Sequence, residues 1–289
     1  MPTRTSSAAT ASSRAPKPAM ASWLLLSFIL LAAHCSSARA ALTPWGDISR
    51  ALVVFAHPDD AETICGGTVA MLIDVYNVSV AYVVTTNGDK GWSKDTNKTS
   101  PEIASIRRAE QMAAAQKMGV SQVYFLEQED GRTEAVDPIA LKLNFTIAIR
   151  SWRPDVVLTF DSKSDLGAYR FGVVHRDHQT VGRVVMDAVY PAARDYLAFP
   201  QIWPALPTWD TPRVWIFSFE QVSGADALVL PIAPAAFAKK LAALLEHRSQ
   251  YDDAAQVKAD LVTLGGAIAS RNGLDPDTLA EAFVVVPIL

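Results

Sequence analysis

The sequence contains little cysteine, and this excludes a disulfide framework. Only two of its 289 residues are cysteines, Cys35 and Cys65. Since Cys35 lies in a segment that we expect to be removed, Cys65 has no internal partner, and stability must come from packing. Cys65 follows His57 by eight residues and could be a thiolate ligand or a nucleophile. The commoner role for such a cysteine is that of a small buried hydrophobe.

Charge is also sparse, and no basic run occurs beyond the amino terminus. Charged residues make up 19% of the chain, apolar residues 50%, and the net charge is -4. Proteins that bind nucleic acid need basic surface to neutralise phosphates, so no nucleic-acid partner is expected. The apolar half is sufficient for a sizeable core in a single domain, which we predict at 41–289.

The amino-terminal residues have the pattern of a secretory signal peptide. Arg4, Arg14 and Lys17 precede an apolar stretch over 23–33, and small residues over 36–40 supply a cleavage pattern. A membrane-spanning helix needs about 20 apolar residues, roughly twice this stretch. We therefore expect residues 1–40 to be removed and the protein to be secreted or to reside in the ER lumen. The alternative is an uncleaved anchor in the ER membrane; the mature chain has no second candidate span.

Glycosylation sequons fit passage through this pathway. They begin at Asn77, Asn97 and Asn144. Polar neighbours favour Asn97 as the occupied site, which would make the protein a glycoprotein.

Apolar runs alternate with amphipathic stretches along the chain. The predicted strands are 51–56, 78–85, 123–126, 154–160, 213–222 and 228–230, and the predicted helices are 61–75, 101–118, 137–152, 179–190, 234–251 and 253–269. This rhythm predicts an α/β fold, a three-layer sandwich with a mostly parallel central sheet. Five prolines over 191–212 predict a long non-helical excursion, a feature that often walls a substrate cleft.

The first chemical motif is His57-Pro58-Asp59-Asp60, directly after the apolar run Ala51–Ala56. Open α/β sheets bind ligands at the carboxyl ends of their strands, and Pro58 stiffens the turn there. Histidine and aspartate at i and i+3 can bind one cation, which leaves Asp59 free to act as a base. Both residue types also favour turns for reasons unrelated to metals, so this motif alone is a modest signal.

The second motif, His175-Arg176-Asp177-His178, follows a long polar loop after the fourth strand. Its imidazoles stand at or near a helix start, where they can converge on the same cation as the first motif. A catalytic zinc site has three protein ligands and a fourth position for water, and one or both of His175 and His178 would complete that number. Iron could occupy the same nitrogen and oxygen ligands.

Together these motifs resemble the PIG-L/LmbE-like de-N-acetylase family. The matching segments are Ala56–Glu62, Gly66-Gly67-Thr68, Arg107–Glu110 with Gly119, Leu126 with Asp130-Gly131, His175–His178 and His247–Gln250. The resemblance implies a Rossmann-like fold and one zinc ion per chain. It further implies hydrolytic removal of acetyl from N-acetylglucosaminyl compounds, N-acetylglucosaminylphosphatidylinositol among them.

The resemblance also implies individual roles. His57, Asp60 and His178 match the zinc ligands, and Asp59 matches the general base that takes a proton from the zinc-bound water. His175 matches the histidine that stabilises the oxyanion or protonates the leaving amine. Zinc polarises the poor amide electrophile and acidifies water, while a nearby acid assists departure of the amine.

Arg176 departs from the family pattern, which commonly has proline after the first histidine. It could alter the turn or extend toward an anionic group of the substrate. Asp177 is expected to orient a ligand imidazole rather than to bind metal.

Further substrate-binding candidates each have a structural alternative. Glu62 could hydrogen-bond the substrate or stabilise the first turn of its helix. Arg107 could pair with a site carboxylate or a sugar hydroxyl, or lie on a solvated face. Trp92 could stack on a sugar ring. His247 is either a packed histidine or a member of the site.

The leading function is that of a zinc-dependent de-N-acetylase acting on an N-acetylglucosamine-containing small molecule, glycan or glycolipid. One alternative is a non-catalytic carbohydrate-binding protein on the same fold, although a binding protein has no need of a base beside its metal. The other is a metal-dependent esterase. The oligomeric state is left open.

Overall fold

The structure is a computed structural model that describes residues 47–92, 94, 97–162, 175–275 and 277–288. Its strands are β1 (Arg50–Phe55), β2 (Ser79–Thr86), β3 (Gln122–Gln128), β4 (Val156–Thr159), β5 (Arg213–Ser218), β6 (Ala227–Pro231) and β7 (Ala280–Pro287). Its helices are α1 (Asp60–Asp74), α2 (Ser100–Met118), α3 (Pro138–Trp152), α4 (Arg176–Asp187), α5 (Pro234–Leu244) and α6 (Ala254–Arg271). The predicted signal peptide lies outside the described residues, as does most of the predicted polar loop after β4.

The described strands form one sheet in the order β3-β2-β1-β4-β5-β7-β6. Strands β1 to β5 are parallel, whereas β7 runs antiparallel to both of its neighbours. The chain builds one half of the sheet outward from β1 and the other half outward from β4. The strand order therefore reverses between β1 and β4, and such a switch point is where open α/β sheets bind ligands.

The central strand β1 is buried on both faces. Every residue from Ala51 to Phe55 is at most 1% exposed. Parallel strands covered on both sides carry continuous apolar runs rather than alternating ones, which explains the pattern in the sequence. The strand ends at Phe55, and the buried Ala56 separates it from His57.

Helix α1 is broken at Cys65, which has the non-helical angles φ -129° and ψ 16°. Beyond the break, the N–H groups of Gly67 and Thr68 donate to the carboxylate of Glu281 in β7, at 2.9 and 2.7 Å. Lys240 of α5 pairs with the same carboxylate at 2.6 Å, and both side chains are buried. Glu281 thus caps the second half of α1, although it is more than 200 residues away in the sequence.

The carboxyl-terminal part differs from the sequence-based expectation. Strand β7 was not predicted, and it inserts between β5 and β6. Helix α5 ends at Leu244 rather than at Tyr251, because the following residues form turns, in which the N–H of Ser249 donates to Glu110 of α2 at 2.7 Å. Helix α4 begins three residues before the predicted start, since His175 acts as its N-cap.

The proline-rich excursion over 191–212 is held by one buried arginine. Arg150 of α3 is 1% exposed, and its guanidinium donates to the carbonyl groups of Ala192, Ala193, Asp195 and Leu206. These bonds satisfy main-chain acceptors that regular secondary structure does not use. Across the described part of the chain, no helix combines the length and apolarity that a membrane crossing requires.

Candidate metal centre and active site

The first cluster forms where β1 ends and α1 begins. The main-chain N–H of His57 donates to Oδ2 of Asp60 at 2.8 Å, which brings the two side chains to the same side of the turn. Asp59 lies between them with φ 100° and ψ -21°. Residues other than glycine rarely adopt this left-handed conformation, so the turn is held by its surroundings.

The second cluster lies at the start of α4. His175 caps this helix, since its Nδ1 accepts a hydrogen bond from the N–H of Asp177 at 3.2 Å. His178 stacks on Phe160, at the end of β4, with ring centroids 4.0 Å apart and planes inclined by 12°. This stacking fixes the orientation of the His178 ring.

Three donor atoms from the two clusters converge. Nδ1 of His57 lies 3.2 Å from Nε2 of His178 and 3.5 Å from Oδ2 of Asp60, and the last two atoms are 3.4 Å apart. Ligands of a four-coordinate zinc ion are bound at about 2.0–2.2 Å and so lie roughly 3.3 Å from one another. The three residues could therefore hold a divalent ion and leave a fourth position open.

The other nitrogen of His57 faces carboxylates. Its Nε2 is 3.1 Å from both Asp177 and Asp130. Burial disfavours the imidazolium, but hydrogen bonds to Asp130, Asp177 and Asp60 outweigh it and raise the pKa of His57 to about 12. In the metal-free protein the ring is therefore protonated on both nitrogens, and a metal ion would replace the proton on Nδ1, the nitrogen that faces the other two donors, while Nε2–H donates to the carboxylates. A carboxylate behind a ligand histidine is a common arrangement in metal sites.

Asp177, which accepts from Nε2 of His57, is held by several further hydrogen bonds. Its side chain is fully buried and also accepts hydrogen bonds from Gly131 N–H at 2.7 Å and from Thr133 N–H and Oγ1 at 3.1 and 2.6 Å. Burial alone would raise the pKa of Asp177, but the bonds from His57, Thr133 and Gly131 outweigh it and lower the pKa. Asp177 is therefore ionised and acts as an acceptor only.

A second group of possible ligands comprises His57, Asp130, His175 and Asp177, whose donor atoms lie within 4.8 Å of one another. In this group, however, Nδ1 of His175 already accepts the Asp177 N–H, and Asp177 accepts several protein hydrogen bonds. The group of His57, Asp60 and His178 is the better candidate because two of its nitrogens face a shared point.

Asp59 lies next to this point with a side chain 14% exposed. Its Oδ2 accepts hydrogen bonds from Arg107 at 3.2 Å and from the Tyr251 hydroxyl at 3.3 Å. Burial raises the pKa of Asp59 to about 6, although the Arg107 charge opposes the shift. A carboxylate in this range can accept a proton near neutral pH.

His175 is the most accessible histidine of the cluster, with 47% of its side chain exposed. Its ring lies edge-on to that of His57, with centroids 4.6 Å apart. Burial and the neighbouring His57 lower the pKa of His175. Because Nδ1 accepts from the backbone, the neutral ring carries its proton on Nε2 and can donate it.

Comparison with known proteins assigns the chain to a family. The model of the family described as PIG-L, GlcNAc-PI de-N-acetylase, matches residues 52–189. A probable N-acetyl-alpha-D-glucosaminyl L-malate deacetylase 2 from Bacillus cereus is 30% identical over 205 residues, which span 69% of this chain and 82% of that protein. The chain belongs to the PIG-L family.

Two further comparisons concern a second similar sequence and the fold. A diacetylchitobiose deacetylase from Thermococcus kodakarensis is 29% identical over 146 residues, half of this chain and 51% of that protein. The structure of the N,N'-diacetylchitobiose deacetylase from Pyrococcus horikoshii superposes with a TM-score of 0.67 at 24% identity, covering 86% of this chain and 88% of that one. The predicted α/β fold, the predicted family and the predicted enzyme class, a deacetylase that hydrolyses an amide, are confirmed.

Two candidate substrate-binding residues are buried in this PIG-L protein, and Arg107 has the site carboxylate that was one of its predicted partners. Glu62 is fully buried and accepts hydrogen bonds from Gln111 at 3.2 and 3.3 Å. Arg107 is 3% exposed, so it does not lie on a solvated face; its guanidinium binds Asp59 and the carbonyl of Gly88. The contacts shown for both side chains are with other protein groups, and substrate contact by either residue stays a prediction.

The other two candidates are accessible. Arg176, the first residue of α4, is exposed and donates to Gln179 at 3.2 Å. Trp92 lies in the loop after β2, where the Lys98 ammonium group is 5.8 Å from its ring centroid. Their contacts with substrate stay predictions.

Sequence reasoning missed three residues around Asp59 and His57. Asp130 belongs to a matched motif, but no local pattern showed that it faces His57. Gln111 and Tyr251 were not considered. The signal for Tyr251 was its position directly after the matched segment His247–Gln250, which the structure turns toward the site.

Proposed function

We propose that this PIG-L protein is a zinc-dependent deacetylase that removes the acetyl group from an N-acetylglucosaminyl compound. The observation that carries the proposal is the convergence of His57, Asp60 and His178 donor atoms to separations of 3.2–3.5 Å beside Asp59. The relatives support the substrate class, since they are named deacetylases of an N-acetylglucosaminyl malate and of diacetylchitobiose.

The residues divide the work of amide hydrolysis. A zinc ion held by the three ligands would polarise the acetamide carbonyl and acidify a water molecule. Asp59 would accept the proton of that water, because its pKa of about 6 leaves it mostly ionised at neutral pH. His175 would donate from Nε2 to the oxyanion or to the leaving amine. The 47% exposure of its side chain supports this role, since an exposed imidazole is accessible to substrate.

The aglycone that we favour carries a negative charge. Arg176 and Arg183 border a cavity of about 480 Å³ together with Glu134, Ser162, Gln179 and Thr180. Two guanidinium groups against one carboxylate leave a net positive lining, and guanidinium groups bind phosphate and carboxylate well, so N-acetylglucosaminylphosphatidylinositol is a candidate substrate. Replacing Arg176 by alanine should raise KM for a phosphate-bearing N-acetylglucosaminide and leave KM for a neutral one unchanged. Equal effects on both substrates would contradict this choice.

We also propose that the protein enters the secretory pathway and that its first 40 residues are removed. The sequence supports this through basic residues, an apolar stretch and small residues in the order of a signal peptide. Mass spectrometry of the protein from a eukaryotic host tests it: a mature amino terminus near Ala41 is expected, and an amino terminus at Met1 would contradict it.

One assay tests the enzymatic proposal. The purified protein should contain about one zinc ion per chain and should release acetate and a free amine from N-acetylglucosaminides. Chelation should abolish release, zinc should restore it, and Asp59→Ala should lower the rate by about 10²- to 10⁴-fold with metal retained. Sugar binding without turnover would instead indicate a carbohydrate-binding protein. Release from acetate esters but not from acetamides would indicate an esterase.

A further inference from the structure

The backbone of Asp59 needs an external support. Its φ of 100° is unfavourable for an aspartate, and the side chain must be aimed at the metal centre from this conformation. Arg107 and Tyr251 hold the carboxylate, but neither contacts the main-chain N–H of Asp59. That N–H donates to Oε1 of Gln111 in α2 at 3.0 Å.

The side chain of Gln111 is fully buried, and its amide can serve this purpose in one orientation only. The carbonyl oxygen must face the Asp59 N–H, so the NH₂ group faces the opposite way. There it donates to both oxygens of Glu62, at 3.2 and 3.3 Å. Because both oxygens of Glu62 face this NH₂ group, a flipped amide would set its carbonyl oxygen against two carboxylate oxygens.

Glu62 is itself in a fixed position. It lies in the first turn of α1, close in the chain to Asp59 and Asp60, and its side chain has no exposed surface. Nε2 of the fully buried His247 lies 3.5 Å from Oε2 of the same carboxylate. Burying a carboxylate without polar neighbours would cost folding free energy, and the neighbouring Gln111 and His247 reduce that cost.

We propose that Glu62 and Gln111 are positioning residues for Asp59: Glu62 orients the Gln111 amide, and Gln111 holds the left-handed backbone of the general base. Neither residue touches substrate. The inference rests on the proposed function, because it assigns the two residues to the reaction that Asp59 serves.

The hydrogen-bond logic allows an exchange experiment. Glu62→Gln keeps the shape of the side chain but replaces the carboxylate by an amide that can also donate. The Gln111 amide can then flip, so that its carbonyl oxygen no longer faces the Asp59 N–H. Gln111→Glu keeps an acceptor for the Asp59 N–H but sets the new carboxylate against that of Glu62, and the two repel each other. In the double variant E62Q/Q111E, the carboxylate at position 111 accepts from Asp59 and from the amide at position 62, so the support is restored with the roles exchanged.

Each single variant should lower kcat by about 10- to 100-fold, because small displacements of a catalytic group have effects of this size. KM should stay near the wild-type value, and the double variant should recover most of kcat. In metal-free protein, amide hydrogen exchange in the peptide containing Asp59 should rise in each single variant and return toward wild type in the double variant. Gln116→Glu, an exposed position on the same helix, serves as the matched control and should change neither quantity.

Single variants with wild-type kcat and exchange would overturn the inference, as would a double variant no better than the singles while folded. If a single variant fails to fold, the double variant is compared with the wild type instead. The inference predicts that its amide hydrogen exchange and its kcat are close to those of the wild type. A folded double variant in which both values differ from the wild type would refute the positioning role. The proposed function is tested separately by the wild-type and Asp59→Ala proteins in the same assay. An inactive wild type rejects the function, whereas an active wild type with unaffected Gln111 and Glu62 variants rejects only this inference.

Discussion

Replacing Asp177 by asparagine should weaken metal binding while the protein stays folded. The carboxylate accepts hydrogen bonds from His57, Gly131 and Thr133 in a fully buried position. An asparagine has the same shape but only one acceptor oxygen. If that oxygen faces His57 and Gly131, the new NH₂ group faces Thr133, whose hydroxyl can accept but whose N–H then has no acceptor.

The magnitudes follow from this arrangement. One buried N–H without an acceptor costs about 1–3 kcal/mol of folding free energy. Replacing the carboxylate behind a ligand histidine by a neutral amide weakens metal affinity or activity by about 10- to 100-fold. The affinity is measured by competition with a chromophoric chelator, and stability by urea denaturation of the metal-free protein. Asp187→Asn, at the exposed end of the same helix, is the matched control. Unchanged zinc affinity in Asp177→Asn would refute the role assigned to this carboxylate.

Three further substitutions test other contacts. Tyr251→Phe removes the hydroxyl that binds Asp59 and should lower kcat by roughly 2- to 10-fold at constant KM, the size of one net hydrogen bond; steady-state kinetics with an unchanged kcat would contradict it. Arg150→Met removes the donor to four carbonyl groups and should cost about 3 kcal/mol or more of stability; a thermal midpoint equal to that of the wild type would argue against this anchor. Glu281→Gln breaks the buried pair with Lys240 and should cost about 3–5 kcal/mol. Adding Lys240→Met should recover part of that loss, and the absence of any recovery in denaturation experiments would show that the pair is not coupled.

The roles that could be predicted from the sequence were those of residues close to one another in the chain. The run before His57 predicted a buried strand, and the turn after it placed a histidine and an aspartate at i and i+3. The structure brings these side chains together with His178, because both motifs follow strands on either side of the switch point. The alternation of apolar and amphipathic segments predicted the parallel core, because each such segment is a local pattern of one strand or one helix.

Residues whose roles depend on distant partners were not predictable. Glu62 was expected to contact substrate or to stabilise the first turn of its helix, and its buried partner Gln111 was not foreseen. For Arg107 the sequence left a site carboxylate, a sugar hydroxyl and a solvated face as alternatives, and only the fold pairs it with Asp59. Strand β7 was missed because its place between β5 and β6 depends on antiparallel pairing with segments far away in the chain. The end of α5 was misplaced because the residues after Leu244 form turns that contact α2 through Ser249 and Glu110, and a partner 139 residues away leaves no local pattern.

The amino-acid sequence by itself determined which groups are available for chemistry and which strand ends carry them, since periodicity and turn residues act over a few positions. The tertiary structure alone decided how those groups are oriented. It placed Tyr251 against Asp59 across 192 residues of chain and Gln111 against Glu62 across 49. Burial and hydrogen-bond direction are properties of packed neighbours, and packed neighbours are set by topology rather than by local pattern.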